Sequence, residues 1–301
     1  MLKGWSAKAT CARTCDHIHS ALAIHRDSRV RSEVGRATAK PSSDYGPQLG
    51  RVSHLGDIEI IGHRGYAGRA PENTLVSLEA ALSAGARAVE FDVRVASCGT
   101  PVVIHDETLD RTTDGHGPVG RQTVEQLRTL DAGTWFDPGF AGERIPTLAD
   151  ALDDVAGSAH HIYLEVKGIR KQSDVDSMVR IVRNRSMADR TTFISIAWSI
   201  IERIRARDAA IRIGFIVVTA DLFDEALSLA AADPAAILDL NHEIALDDPS
   251  VVQRARGEGI EVVTWTVNEP DEATRLRRAG VTGFTTDHVD RLLAWAGQES
   301  G

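Results

Sequence analysis

The sequence predicts an α/β fold, a TIM-type (β/α)8 barrel with an antiparallel hairpin arm after its second strand. The 301-residue chain has room for one such barrel, which needs about 250 residues, together with a tail. From residue 58 onward, short β-branched runs alternate with amphipathic segments, which is typical of βα units around a parallel sheet. The spacing of the strand candidates then favours a barrel with a hairpin arm.

Nine segments have the composition of β-strands, one more than a simple barrel contains. They are Glu59–His63, Ala88–Val95, Pro101–His105, Ile162–Val166, Thr191–Ile196, Ile211–Val217, Ala236–Leu240, Ile260–Val267 and Val281–Thr285. Helix candidates occupy most of the intervening stretches: Thr74–Ala84, Thr123–Leu130, Leu148–Val155, Val175–Arg185, Ser199–Arg207, Leu222–Ala231, Pro249–Arg256, Asp271–Ala279 and His288–Trp295.

The second and third strand candidates are joined by a connection too short for a parallel crossover. About five residues separate them, whereas a crossover needs roughly a dozen or more. They must therefore form an antiparallel hairpin that turns near Cys98 and Gly99. With the turn centred there, residues whose numbers sum to about 197 lie opposite each other. We therefore expect Asp92 to face His105.

Residues 1–55 are predicted to form a poorly ordered N-terminal extension, and residues 56–301 the barrel domain. The extension shows no sustained helix or strand period and ends in a turn-rich stretch between Pro41 and Pro47. Four of its residues are of types that bind zinc: Cys11, Cys15, His17 and His19. Their spacing matches no standard zinc pattern and no second ligand pair follows, so we interpret them as unrelated residues of the tail.

Charge and cysteine content narrow the class of protein. The formal net charge is −9, which argues against nucleic-acid binding, because Lys and Arg neutralise the phosphates there. Three cysteines are too few for a disulfide framework and favour a reducing compartment. No run approaches the roughly 18 apolar residues of a membrane span, and no secretory signal is evident. We expect a cytoplasmic protein with a small-molecule partner and no stable membrane insertion.

Polar residues gather where the predicted strands end, which is the face of a TIM barrel that carries the active site. These residues are His63, Arg64, Glu90, Asp92, His105, Glu165, Lys167 and Trp265. They come from several different strands, as a site at the barrel mouth requires.

Three of these residues are carboxylates, and they predict a metal site. Glu90 and Asp92 are two residues apart on one strand, so both point to the same face, and Glu165 can join them. Carboxylates aimed together repel unless a proton or a cation lies between them. An all-oxygen ligand set suits one hard divalent cation, Mg²⁺ or Ca²⁺. On spacing alone, surface salt bridges to Arg94 or Lys167 explain these carboxylates equally well.

The remaining residues supply acid/base groups, positive charge and an apolar face. His63 and His105 stand at strand ends, and an imidazole with a pKa of about 6.5 can act as acid or base near neutral pH. Arg64 can bind phosphate oxygens through two bonds, and Lys167 can act as a point charge. Trp265 offers a surface for a glycerol backbone or a quaternary ammonium group, although a barrel-filling aromatic fits it nearly as well.

Seven short stretches, in order, resemble the glycerophosphodiester phosphodiesterase family. They are His63-Arg64-Gly65, Pro71-Glu72-Asn73-Thr74, Glu90-Phe91-Asp92-Val93, Pro101-Val102-Val103-Ile104-His105-Asp106, Leu109-Asp110-Arg111-Thr112-Thr113, Leu164-Glu165-Val166-Lys167 and Trp265-Thr266-Val267-Asn268. Each stretch alone is a weak signal, but their order and spacing over residues 60–290 make a strong one.

The resemblance implies metal-dependent hydrolysis of glycerophosphodiesters to sn-glycerol 3-phosphate and an alcohol. The glycerol 2-hydroxyl would attack phosphorus, and a cyclic glycerophosphate would then open with water. The implied acid/base pair is His63 and His105. The implied ligands of one divalent cation, Mg²⁺ or Ca²⁺, are Glu90, Asp92 and Glu165. The implied phosphate-binding residues are Arg64 and Lys167.

Two other functions are considered beside this one. A related barrel phospholipase of the phospholipase D-like type would stop at the cyclic phosphate, and such proteins usually carry a secretion signal. A non-catalytic barrel that serves as a binding protein would be expected to have lost one of the acid/base or metal-binding residues. The sequence shows no such signal, and all of those residues are present.

Overall fold

The computed structural model describes residues 58–299 and contains a closed barrel of eight parallel strands, which confirms the predicted TIM-type barrel. The strands, in chain order, are β1 (Glu59–Gly62), β2 (Ala88–Val95), β3 (Pro101–Val103), β4 (His161–Val166), β5 (Thr191–Ser195), β6 (Arg212–Val217), β7 (Ala236–Asn241), β8 (Glu261–Trp265) and β9 (Gly283–Thr286). Around the barrel the order is β1-β9-β8-β7-β6-β5-β4-β2, and the pairing of β1 with β2 closes it.

Ten α-helices lie within residues 58–299. They are α1 (Leu75–Ser83), α2 (Val124–Leu127), α3 (Leu148–Val155), α4 (Gln172–Asn184), α5 (Trp198–Arg207), α6 (Phe223–Ala231), α7 (His242–Asp247), α8 (Ser250–Gly257), α9 (Pro270–Ala279) and α10 (Val289–Glu299). Nine match the predicted helices. Helix α7 was not predicted, because its six residues are too few for a helical period to show. Its N-terminus is capped by the side chain of Asn241, which accepts a hydrogen bond from Glu243 N (3.1 Å).

The predicted antiparallel hairpin is present as β2 and β3, but the predicted register was wrong by one residue. Asp92 lies opposite Ile104 and accepts a hydrogen bond from its backbone N (3.0 Å), so it does not face His105. The reason is the tight turn. The hydrogen bond from Ala96 N to Thr100 O (2.9 Å) centres the chain reversal on Cys98, midway between these two residues. Since β3 ends at residue 103, His105 lies past the strand and its direction no longer follows the pleat. The observed pairs are Val93–Val103, Arg94–Val102 and Val95–Pro101.

Side chains of the barrel strands alternate between the interior and the helix-covered outer face. On β2, Val89 and Phe91 belong to the core between barrel and helices, so Glu90 and Asp92 point inward. The register of β2 with β4 sets Asp92 beside Glu165. Two neighbouring strands therefore deliver carboxylates to one inner layer of the barrel.

Residues 104–147 form an excursion between β3 and α3. It contains α2 and two 3₁₀ helices, Val119–Arg121 and Pro138–Phe140. It also has a small hydrophobic core of its own, made by buried side chains that include Ile104, Leu109, Val119, Leu127 and Ile145. Because this excursion starts where β3 ends, its first residues, which include His105, are placed next to the polar end of the barrel.

The predicted N-terminal extension and its four candidate zinc ligands lie outside the described residues. The domain boundary near residue 55 therefore stays a prediction. Among the helices between residues 58 and 299, none combines the length and apolar character needed to cross a membrane.

Candidate active site

Three carboxylates meet inside the barrel. One oxygen from each of Glu90, Asp92 and Glu165 lies within 4.8 Å of the others, and all three residues are buried. This burial excludes the surface location that the salt-bridge alternative assumed, although Lys167 does pair with Asp92 and Glu165. The structure therefore brings together the three residues expected at the metal site, while their role as ligands stays a prediction.

Burial and nearby charges strongly shift the pKa values of these three carboxylates. Burial, together with the negative charges of Asp92 and Glu165, raises the pKa of Glu90 well above its ordinary value. Burial also raises the pKa of Glu165. Burial would also raise the pKa of Asp92. Positive charges, of which that of Lys167 is the largest, outweigh this effect and hold the pKa of Asp92 well below its usual range. Carboxylates this close keep a proton unless a cation neutralises them.

Both predicted phosphate-binding cations lie against this cluster. Lys167 Nζ is 2.7 Å from Glu165 Oε1 and 3.2 Å from Asp92 Oδ1. Arg64 Nε is 3.3 Å from Asp92 Oδ2, and its Nη1 donates to Glu72 Oε1 (2.7 Å). The charges of these carboxylates raise the pKa of Arg64 and of Lys167 despite burial, so both side chains stay cationic.

The turn after β1 is shaped by a glycine that no other residue can replace without strain. Gly65 has φ +85°, and a Cβ on it would lie 2.4 Å from the backbone carbonyl carbon of Ser77. The preceding residue, Arg64, is also left-handed, with φ 52°. This conformation aims Arg64 N at Glu90 Oε2 (3.0 Å), so the turn itself hydrogen-bonds the carboxylate cluster.

Asn73 positions Asp92. Its Nδ2 donates to Asp92 Oδ2 (2.7 Å), and its Oδ1 accepts from Asp92 N (3.0 Å). Asn73 is itself left-handed (φ 60°), a conformation that asparagine tolerates better than most residues. The two bonds fix one rotamer of the carboxylate and leave its second oxygen directed toward Lys167.

His63 is held by a carboxylate that directly follows the last barrel strand. Its Nδ1 is 2.7 Å from Asp287 Oδ1. The other oxygen of Asp287 accepts from Asn268 Nδ2 (2.9 Å). Burial opposes ionisation of Asp287, but the charge and hydrogen bond of His63 outweigh it and lower the pKa of Asp287. A carboxylate acceptor places the imidazole proton on Nδ1, so Nε2 is left to accept or donate a proton.

His105 has the same arrangement with its own neighbour. Its Nδ1 is 2.7 Å from Asp106 Oδ1, and Asp106 accepts two hydrogen bonds from Arg111 (2.7 and 2.9 Å). Arg111 also donates twice to Glu72 (2.8 Å each). Burial and the charges of Lys167 and other nearby cations lower the pKa of His105 to about 3. At neutral pH this imidazole is therefore an uncharged group with a free Nε2.

The side of the barrel mouth formed by β7 and β8 carries Trp265 and a carboxyl group, Asp239, that was not predicted. Trp265 is half-buried, and its Nε1 donates to the backbone oxygen of Asp239 (3.3 Å). The side chain of Asp239 is buried, and burial together with the charge of Glu165 raises its pKa well above the ordinary value. The substrate-binding role of Trp265 stays a prediction.

The three carboxylates fit a hard divalent cation. Glu90 Oε1 is buried with no hydrogen-bond partner among the described residues, whereas Glu165 Oε1 lies 2.7 Å from Lys167 Nζ. Orphaned, buried carboxylate oxygens are costly unless a ligand satisfies them. Converging carboxylate oxygens are the ligands that Mg²⁺ and Ca²⁺ sites use.

Several residues of this site were not assigned a role by the sequence analysis. They hold the ligands and histidines in place: Glu72, Asn73, Asp106, Arg111, Asn268 and Asp287. Five of them lie in the stretches that carry the family resemblance, which was the available signal. Their partners, however, are set by contacts between distant segments, and no local pattern reports such contacts.

A barrel with buried acidic side chains, two cations and two carboxylate-held histidines at one end defines an enzyme suited to phosphate-ester hydrolysis. The model of the glycerophosphoryl diester phosphodiesterase family matches residues 63–291, and the chain belongs to this family. The activity that follows is that of a phosphoric diester hydrolase acting on glycerophosphodiesters.

Relatives and solved structures agree with this assignment. The chain is 29% identical over 236 residues to the glycerophosphodiester phosphodiesterase of Caldanaerobacter subterraneus, covering 78% of this chain and 96% of that protein. It is 31% identical over 259 residues to human glycerophosphodiester phosphodiesterase 1, covering 77% and 78%. A phosphodiesterase from Oleispira antarctica, solved with the product sn-glycerol-3-phosphate, superposes with a TM-score of 0.74 at 27% identity, covering 79% of this chain and 96% of that one.

Proposed function

We propose that this enzyme hydrolyses glycerophosphodiesters to sn-glycerol 3-phosphate and an alcohol with one divalent cation, Mg²⁺ or Ca²⁺, held by Glu90, Asp92 and Glu165. The observation that carries the proposal is the buried carboxylate cluster with the unpartnered Glu90 Oε1, together with two histidines that each contact a carboxylate through Nδ1. The product found in the Oleispira antarctica structure supports the choice of substrate. When bound, the cation would supply Lewis-acid charge to the phosphoryl oxygens and the attacking hydroxyl.

Arg64 and Lys167 would bind the phosphodiester anion. Their side chains are only 17% and 11% exposed and keep their charge, so water screens their interaction with a phosphate less than at the open surface. Their present carboxylate partners hold them at the edge of the cluster, close to the position that the phosphate must occupy. Charge that develops on the phosphoryl oxygens in the transition state would be stabilised by these preplaced groups.

His63 and His105 would move the protons. Each has Nδ1 occupied by a carboxylate, so each presents Nε2 for transfer. One would take the proton of the glycerol 2-hydroxyl as that oxygen attacks phosphorus, and the other would protonate the departing alcohol. Their roles would reverse when water opens the cyclic glycerophosphate. Asp287 and Asp106 would stabilise the imidazolium that forms in each half of the reaction.

The test is turnover of glycerophosphocholine coupled to detection of glycerol 3-phosphate, before and after treatment with EDTA. We expect activity to disappear on chelation and to return with Mg²⁺ or Ca²⁺. His105→Ala should lose at least about 100-fold in kcat, the lower end of acid/base contributions. The control His116→Ala, whose ring is exposed and pairs with Asp110, should keep full activity. Full activity in EDTA would contradict the metal, and accumulation of the cyclic phosphate would favour the phospholipase D-like alternative.

A further inference from the structure

Asp239 is a buried carboxyl group with an unmet hydrogen bond inside the barrel. It is 3% exposed, and its Oδ1 has no hydrogen-bond partner among the described residues. It is not one of the three residues whose oxygens converge within 4.8 Å, so it is not part of the candidate metal cluster. A polar atom left unpaired at this depth is costly, and its persistence requires a reason.

Polar groups inside the barrel differ between its two ends. Near the amino ends of the strands, Tyr163 Oη donates to Glu59 Oε2 (2.6 Å) and Arg212 Nη2 donates to Glu261 Oε2 (2.7 Å). Those groups are paired with each other. Of the six buried side-chain atoms without a hydrogen-bond partner in the described part of the chain, four belong to the mouth end of the barrel: Arg64 Nε, Glu90 Oε1, Glu165 Oε1 and Asp239 Oδ1.

The position of Asp239 follows from the strand order. It lies in the second half of β7, on the same inward face as Ile237, and β7 stands directly across the barrel from β2, which carries two of the candidate ligands. Glu165 and Lys167 are near enough for their charges to act on the pKa of Asp239. The ring of Trp265 reaches over from β8 to donate to its backbone oxygen. Asp239 therefore stands at the side of the mouth away from the two histidines, on the strand next to that of Trp265.

We propose that Asp239 is a specificity-determining residue that hydrogen-bonds the terminal hydroxyl of the glycerol moiety. The inference rests on the proposed function, because it requires a glycerophosphodiester in the mouth. The 2-hydroxyl is committed to the reacting phosphorus, so the terminal hydroxyl is the polar group of glycerol left to reach the opposite wall. A hydroxyl both donates and accepts, so it can satisfy a carboxyl group in either protonation state.

The experiment compares two substrates that differ by this one hydroxyl: glycerophosphocholine and its analogue with propane-1,2-diol, which keeps the attacking hydroxyl. We expect the wild-type enzyme to prefer glycerophosphocholine in kcat/KM by on the order of 10- to 100-fold, the value of one buried hydrogen bond. Asp239→Leu should lose this factor with glycerophosphocholine and leave the analogue unchanged. Asp239→Asn, which can still hydrogen-bond a hydroxyl, should keep most of the preference.

Two further measurements make the outcome decisive. Calorimetry of sn-glycerol 3-phosphate and of propane-1,2-diol phosphate measures recognition of the terminal hydroxyl without turnover. Absence of turnover would contradict the proposed function, and the calorimetry would still test the role of Asp239. The control Glu59→Gln changes a paired carboxylate at the other end of the barrel and should not alter the preference. If Asp239→Leu weakens both substrates equally, or neither, the hydroxyl contact is refuted and Asp239 is structural or satisfied by water.

Discussion

Replacing Asp287 by Asn should strongly lower the kcat of the enzyme without unfolding it. Asp287 accepts two hydrogen bonds, from His63 Nδ1 (2.7 Å) and from Asn268 Nδ2 (2.9 Å). An amide can accept only one of them. Asn268 cannot turn over to compensate, because its Oδ1 already accepts from Thr286 Oγ1 (3.0 Å) and from the backbone N of residue 287 (2.9 Å). The new NH₂ group must therefore face His63.

This forced orientation sets the size of the effect. An NH₂ facing Nδ1 moves the imidazole proton to Nε2, which removes the free lone pair needed for proton abstraction. It also removes a charge-assisted hydrogen bond worth about 1.5–3 kcal/mol, which alone corresponds to roughly 10- to 150-fold. We expect Asp287→Asn to lower kcat by at least about 100-fold, with a much smaller change in KM.

The assay is steady-state release of glycerol 3-phosphate, with circular dichroism and thermal melting to confirm folding. The matched control is Asp290→Asn, three residues further on, where the side chain is about half exposed and pairs with Arg69. This control should keep kcat within about threefold, as surface charge pairs contribute little. A folded Asp287→Asn enzyme with near-wild-type kcat would refute the acid/base role of His63.

Two other changes test the supporting contacts. Asn73→Gly keeps the left-handed backbone but removes both hydrogen bonds to Asp92. We expect the metal affinity, measured by calorimetry, to fall about 10- to 100-fold while the fold stays intact. Unchanged affinity would contradict the proposed ligand set. Burial and the charge of Glu79 raise the pKa of Asp154 to about 6 from an ordinary value of 3.8. The native state therefore binds this proton more tightly than the unfolded chain does, and stability is lost as pH rises through this window. Asp154→Asn should raise Tm relative to wild type by an amount that grows from pH 4 to pH 7, and a pH-independent difference would exclude the linkage.

The fold could be predicted because its signals are local. Alternating strand and helix patterns mark the βα units, and the short connection at Gly99 permits only a hairpin. The register of that hairpin could not be read the same way, because it depends on one turn hydrogen bond from Ala96 N to Thr100 O. Likewise, the six-residue helix α7 is stabilised by the cap at Asn241, which periodicity does not reveal.

For the candidate site, the residue types and their strand positions could be named in advance, but their supporting partners could not. Asp106 and Arg111 stand in a stretch that was noticed only for its resemblance, and the link from Arg111 to Glu72 spans 39 residues. Asp239 carried no signal at all, because a single Asp in a β-strand has no pattern. Its importance appears only from the absence of a partner for its buried oxygen.

By itself, then, the amino-acid order determined a barrel, a hairpin arm and a set of chemically apt residues at strand ends. Only the tertiary structure decided which of those residues meet. His63 and Asp287 are 224 positions apart and lie 2.7 Å from each other because β1 pairs with β9 and joins the first strand of the barrel to the last. The physical reason is that the chemistry of a side chain is local, whereas its neighbours are set by the closure of the whole sheet.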